Sequence, residues 1–271
     1  MIDKKKFKWA NLFLIAIFIL LYAPIIYLIV YSFNEGGTMN AFTGFTTQHY
    51  NSVFEDTRLI TIVINTIIIA LLSAAIATVI GVLGALLIYY LRNKKLKERV
   101  LSLNNILLVM PDVMIGASFL ILFTYLIPLP MGFWTVLLAH VAFNIPIVVL
   151  MVLPKIYSLN EQMILAAEDL GASDWQILNK IILPNIASGA FTGFFMALTY
   201  SLDDFAVTFF VTGSGFSTLS VEIYSRVRAG VSLEINALST LMFIASLILV
   251  VIYYFVQMKE VKQAKRGKIY E

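Results

Sequence analysis

The stretch LAAEDLGASDWQILNKIILP, residues Leu165–Pro184, decides how the rest of the chain is read. It is the one long polar interruption between two strongly apolar runs whose pattern also suits docking. Asn160 is placed to cap a first short helix, and Gly171 to end it, because glycine takes the left-handed turn at no steric cost. Ser173 and Gln176 have capping-box spacing, so a second helix starts at once. Met163, Ile164, Ala167 and Leu170 share one face of the first helix, and Trp175, Leu178 and Ile182 one face of the second. The expected result is an amphipathic elbow. By amphipathicity alone it suits either a helix lying in the lipid interface or a handle for another protein.

Composition places that elbow in a membrane protein. Of 271 residues 60% are hydrophobic and only 13% charged, which is far too apolar for a soluble domain. The chain has no cysteine, and this excludes a disulfide framework, a thiolate metal site and a cysteine nucleophile. His49 and His140 are far apart and neither has a second ligand at metal spacing, so no metal site is expected. A phosphate-cradling Gly-x-x-x-x-Gly-Lys-Ser/Thr loop is missing, and the glycine-containing run Gly213–Thr218 lacks the lysine. ATP and other cofactors are therefore not expected to bind this chain, and neither is nucleic acid.

Six apolar segments flank and contain the elbow. Residues 9–33 follow a lysine-bearing N-terminus; they are too long for a signal-peptide core and lack a small-residue cleavage site, so they read as a retained first span. After a loop over 36–58, residues 59–90 form the second span, with Ser73, Ala77, Gly81 and Ala85 as a stripe that admits a close neighbour helix. The third, 101–127, contains Met110-Pro111-Asp112, and a proline there kinks or breaks a helix. The fourth, 132–153, carries His140 and Asn144 one turn apart, read as hydrogen-bonding glue between helices. The fifth, 185–211, has a second stripe of Gly189, Gly193, Ala197 and Ser201. A loop over 212–235 and a sixth span, 236–258, complete the set. Sixteen of the nineteen lysines and arginines lie in the N-terminus, the 92–99 turn, the elbow region and the tail. The positive-inside rule then puts both termini and the elbow in the cytoplasm.

Carboxylates inside a span are costly and mark either a path for substrate or a buried partner. Asp203 and Asp204 sit about eighteen residues beyond the inner end of the fifth span, roughly 27 Å at helical rise, in its outer part. Two readings stay open. The pair can meet a cation entering from outside; a multiply charged amine would relieve the repulsion between two adjacent carboxylates. Alternatively Asp203 caps a broken helix and Asp204 bonds Tyr200 or Thr208 within the bundle. Asp112 follows Pro111 at a helix start, where a negative charge suits free amides. Tyr200, Trp134 and Tyr125 can cradle an ammonium group on their ring faces, or belong to an ordinary interface belt of aromatic residues.

The elbow resembles the cytoplasmic coupling loop of ATP-binding-cassette importer permeases: Glu-Ala-Ala, three residues, Gly, nine residues, Ile, any residue, Leu-Pro. Ala166, Ala167, Gly171, Ile181, Leu183 and Pro184 fall on that pattern, while Leu165 stands where the family has Glu and Glu168 sits one turn on. A narrower resemblance is carried by the runs 110–116, 132–134, 139–140, 169–173, 201–204, 210–213 and 231–238. Taken in order, they resemble the PotC-type permease subunits of spermidine/putrescine importers. The resemblance implies an all-α membrane protein with the six-helix type I importer (MetI-like) permease fold. It would form a single permease domain over 1–271, with its core at about 59–258 and its coupling region at about 154–184. Implied partners are two copies of an ABC ATPase, a second homologous permease (PotB-like), an extracellular polyamine-binding protein (PotD-like) and membrane lipid. Leu165, Ala166, Ala167, Glu168, Gly171, Ala172, Trp175, Leu183 and Pro184 would carry ATPase coupling; Asp203, Asp204, Asp112, Tyr200 and Trp134 would line the substrate path. A permease for an amino acid, phosphonate or metal chelate, a stand-alone secondary transporter and a membrane scaffold remain as other readings.

Overall fold

A computed structural model describes residues 4–229 and 232–267. Gly230 and Val231, the start of the last run carrying the narrower resemblance, lie outside the described residues, as do Met1–Asp3 and the last four residues of the basic tail. Among the described residues the regular structure is helical but for one isolated bridge between Asn34 and Phe45. Five of its described helices are long and apolar enough to cross a bilayer, or six if one sharply bent pair counts as a span. It divides into two compact units, residues 1–60 with 223–271, and residues 61–222.

In the first unit α1 (Lys4–Tyr31) and α12 (Leu233–Gly267) pack together, and α2 (Gln48–Glu55) lies against α12. The loop after α1 is folded around buried Asn34. Its amide donates to the carbonyls of Thr38 and Ala41 at 3.0 and 2.9 Å, and its oxygen accepts from Thr43 N at 2.8 Å. His49 lies in α2 and bonds the Asn34 carbonyl at 2.8 Å. Arg226, in α11 (Leu219–Ala229), meets Asp56 at 2.8 Å and holds that carboxyl below its ordinary range.

The second unit is built on α6 (Phe133–Tyr157), the most enclosed of the long helices. Against it lie α9 (Leu183–Asp203) and the long α3 (Thr57–Tyr90). Both small-residue stripes are buried, and both serve to bring a backbone onto α6. A Cβ on Gly81 would come within 2.6 Å of the Val148 side chain; one on Gly193 would lie 3.2 Å from Val148 Cα. A Cβ on Gly189 would lie 2.7 Å from the Lys155 stem. Val148 is thus held between two glycines of different helices. Leu, Ile and Val side chains fill the rest of this core, from Ala70 to Leu198.

Two expected spans are interrupted. The third does not merely kink: α4 (Lys94–Val109) and α5 (Asp112–Ile121, widening to a π turn at Leu122–Leu126) meet at 106°. Pro111 forces Met110 into extended backbone, with ψ 139°, so helical geometry cannot carry through. None of the α4 side chains is buried. The fifth span likewise stops at Asp203, turns at Asp204 (ψ 122°), and resumes as the short α10 (Ala206–Val211). Gly116 lets α10 settle onto α5, since a Cβ there would meet Phe210 at 2.7 Å and the Ala206 carbonyl at 3.1 Å. The fourth span runs on to Tyr157, and the loop over 212–235 contains α11.

Gly81→Ala is expected to destabilise the permease by about 1–3 kcal/mol through overpacking. Adding Val148→Ala should recover part of that loss, and a double variant no more stable than Gly81→Ala in thermal unfolding would contradict this packing.

Candidate functional site

The break in the fifth span leaves the first amides of α10 without partners inside the helix. Asp204 supplies them. Its Oδ1 accepts from Val207 N at 3.2 Å and its Oδ2 from Thr208 N at 2.8 Å and Thr208 Oγ1 at 2.7 Å. The carboxylate is also 3.4 Å from His140 Nε2, and the two side chains are 4% and 0% exposed. The expected cap is therefore present, but Asp204 forms it rather than Asp203. Geometry favours this swap, because the chain leaves α9 at Asp203 while Asp204, already extended, can turn its oxygens onto the next helix.

His140 extends the cluster. Because Thr208 spends its one hydroxyl proton on Asp204, the 2.8 Å contact to His140 makes Nε2 the donor. Nδ1 faces Ser201 Oγ at 2.6 Å, and Ser201 Oγ meets Ser73 Oγ at 3.0 Å. A chain of buried polar groups thus joins α3, α6, α9 and α10. The reading of His140 as interhelical glue holds; Asn144 is different, for among the described residues neither end of its buried amide has a hydrogen-bond partner. The sequence reading missed Ser73, Ser201 and Thr208 as members of one network. A usable signal was present, since His140 and Asp204 are ionisable groups of opposite charge sign within apolar segments.

The second acidic feature is open. Tyr200 Oη donates to Asp112 Oδ1 at 2.7 Å, joining the outer turn of α9 to the first residue of α5. Tyr200 therefore bonds Asp112 rather than Asp204. Its ring packs edge-on against Phe143 at 5.2 Å, and Phe143 in turn lies 4.9 Å from His140. Tyr200 is 41% exposed, Asp112 half-buried and Asp203 exposed. Asp203 makes no hydrogen bond or ion pair among the described residues. Trp134 stands apart: it packs edge-on against Phe133 at 5.2 Å, nine positions before Phe143 and so roughly 13 Å along the helix.

The elbow has the expected local architecture. Asn160 accepts from Gln162 N at 3.0 Å and starts α7 (Glu161–Asp169). Gly171, with φ +78°, ends it; Ala172 N bonds the Ala167 carbonyl and Gly171 N the Glu168 carbonyl, each at 2.9 Å, a Schellman closure. Nothing would crowd a Cβ at Gly171, so the glycine is required for its backbone angle. Ser173 and Gln176 form the capping box of α8 (Asp174–Ile177), which runs through a π turn into α9. The amphipathic faces divide, however. Ile164, Ala167, Ala172, Leu178 and Ile182 pack on the bundle, while Met163, Leu165, Leu170, Trp175 and Leu183 are exposed, Leu170 by 88% and Trp175 by 69%. Ala166, Glu168, Gly171 and Pro184 are exposed as well. A short helix has only one side to give, and here the bundle takes the side centred on Ala167.

These features define a class. The chain belongs to the family of binding-protein-dependent transport system inner membrane components, whose model matches residues 77–260. It is a non-catalytic, multi-pass permease of the inner membrane. Among its relatives is the spermidine/putrescine transport system permease protein PotC of Haemophilus influenzae, 36% identical over 254 residues that cover 94% of this chain and 98% of that one. The protein of the same name in Escherichia coli is 38% identical over 88% and 90%, and the putrescine transport system permease protein PotI of E. coli is 32% identical over 96% of each. In solved structures the fold matches a bacterial ABC transporter involved in import of the acidic polysaccharide alginate, with TM-score 0.72, 19% identity and coverage of 94% and 95%. It also matches the MetNI methionine ABC transporter in an inward-facing conformation, with TM-score 0.60, 20% identity and coverage of 74% and 91%.

Removing the Asp204 carboxylate strands a buried imidazole and the α10 amides. Asp204→Ala is expected to cost about 3–5 kcal/mol, against about 0.5 kcal/mol or less for exposed Asp203→Ala. Equal thermal midpoints for the two variants in detergent would refute that ranking.

Proposed function

We propose that this chain is the polyamine-conducting permease of an ATP-driven importer. In this reading the six spans, counting α4–α5 as one broken span, form a single permease domain with both termini and the elbow in the cytoplasm. The chain pairs with a second, homologous permease. The assembly holds two copies of an ATPase subunit, one of which docks on the elbow, and an external binding protein delivers spermidine or putrescine.

The observation that carries the substrate is the open acidic corner formed by the pair of Asp112 and Tyr200, placed where the broken third span meets the end of α9, with exposed Asp203 three residues further along α9. A diamine or triamine arriving from outside meets a carboxylate and a phenol there, with a second carboxylate close by along the chain. The Tyr200 hydroxyl orients one carboxylate, and its ring offers a face to an ammonium group. The names of the relatives, which match over nearly their whole length, support the same cargo. Asp204 acts on the path only by holding α10 in place. An anionic cargo such as a phosphonate would be repelled by this corner.

Energy enters at the elbow. Its outward side chains, Leu165, Leu170 and Trp175, form an apolar surface with Glu168 beside them, suited to a groove on an ATPase. Closure of two ATPases against each other would displace the elbow. Because α6 reaches α7 through three residues, and α8 runs directly into α9, that displacement would rock the central helices and alternate access to the corner.

Uptake of radiolabelled spermidine by cells carrying the complete importer tests the reading. Asp112→Asn and Asp203→Asn should each lower uptake by about tenfold, the effect of losing one charge-assisted contact, with docking of the binding protein retained. Normal import by both variants would remove the acidic corner from the path. Gly171→Asp should leave the permease in the membrane yet abolish stimulation of the ATPase, whereas Leu165→Ala should be milder; undiminished uptake by Gly171→Asp would show that the elbow is not the coupling element.

A further inference from the structure

Lys97 of α4 occupies a corner made by the ends of three other helices. Its Nζ donates across 3.3 Å to the backbone carbonyl of Tyr89, in the last turn of α3, where carbonyls have no partner within the helix. The same ammonium lies 5.0 Å from the ring centre of Tyr157, the last residue of α6, and 5.7 Å from that of Tyr89. Both distances are within reach of a cation–π attraction. The two rings meet at 5.6 Å and 64°. Tyr89 Oη donates in turn, over a long 3.5 Å, to Glu161 Oε1, and Glu161 is the first residue of α7. Two helix C-termini bring partial negative charge to this corner and Glu161 a full one, so a single cation among them offsets their repulsion.

The position of this junction matters more than its strength. Displacement of the elbow reaches α6 and α9 through the chain itself. No covalent connection of comparable shortness joins the elbow to α3 or α4, and α4 leads through Met110 and Pro111 to α5, whose first residue is Asp112. Beside the packing of α4 on α6, Lys97 ties α4 to the ends of α3 and α6, and Tyr89 carries the link on to Glu161 at the start of α7.

We propose that Lys97 is a positioning residue that passes displacement of the elbow, through Tyr89 and Tyr157, to α4 and along α4 to Asp112. The proposal rests on the elbow being the point where ATP-driven work enters. It does not depend on the identity of the cargo.

The test uses the complete importer in proteoliposomes, with a spin label introduced at Gln162→Cys on the elbow or at Val113→Cys beside Asp112. The absence of native cysteine makes each label unique on this chain. In the parent, both labels should change their spectra when ATP is added. Lys97→Met, which keeps the stem but not the charge, and Tyr157→Leu, which removes the ring, should preserve the response at Gln162 and reduce that at Val113 by about three- to tenfold. Lys97→Arg and Tyr157→Phe should restore it. An unchanged Val113 response in Lys97→Met would overturn the proposal, as would loss of both responses together with loss of the assembled complex, which would leave Lys97 a merely structural support. A silent Gln162 label in the parent would overturn the elbow reading and this inference with it, whereas failure to import polyamine would leave both label responses intact.

Discussion

In hydrocarbon there is no water to satisfy a backbone amide or carbonyl, and that constraint governs where this chain can break its helices. Two spans are interrupted, at Pro111 and at Asp204, and each interruption exposes the start of a new helix. At the second, an aspartate side chain substitutes for the missing turn. Its buried charge is tolerable because Thr208, two backbone amides and the imidazole of His140 surround it. At the first, Asp112 stands at the new helix start and is joined by the Tyr200 phenol. Two carboxylates thus stand at helix breaks with opposite outcomes: Asp204 caps its helix and is enclosed, whereas Asp112 makes no such cap and accepts from Tyr200 in the open.

That difference comes from packing around α6. Apolar helices gain little from mutual burial when the surroundings are equally apolar, so close approach must come from shape. Glycines 81 and 193 let α3 and α9 close on Val148 from two sides, and Gly116 lets α10 settle on α5. Drawing these helices together encloses Ser73, Ser201, His140, Thr208 and Asp204 in one network. Asp112 and Tyr200 lie outside that closely packed zone. Small residues, which take part in no chemistry, therefore draw together the helices that enclose Asp204, while Asp112 lies half-exposed beyond them.

At the other end of the same helices the elbow uses a different economy of surface. Each of its short helices gives one side to the bundle and leaves bulky apolar side chains uncovered. Isolated helices this short are unstable in water. Here they persist through their caps, the glycine closure at Gly171 and the Ile164 and Ala167 contacts. The exposed leucines and tryptophan are then free to meet another protein without being needed to hold the elbow together. Lys97, held between two tyrosine rings, sits where this surface joins the spans.

Much of this was legible from residue order, because the signals are local. Apolar run length, the cap at Asn160, the capping box at Ser173, the glycine angle at Gly171 and the proline at 111 each act within a few neighbouring residues. The chain alone therefore determined a helical membrane protein, the elbow and the approximate spans. Only the tertiary structure decided that the third span turns through 106°, that Asp204 and not Asp203 caps α10, that Tyr200 pairs with Asp112, and that among the described residues Asn144 lacks a partner where His140 has several. The pairings among them bring residues 60 or more positions apart to the same depth in the bundle, His140 with Ser201 and Thr208 and Tyr200 with Asp112. A pattern of spacings along one helix carries its periodicity but not its rotation or depth against a neighbour, and that relation is set by where glycines permit the helices to touch.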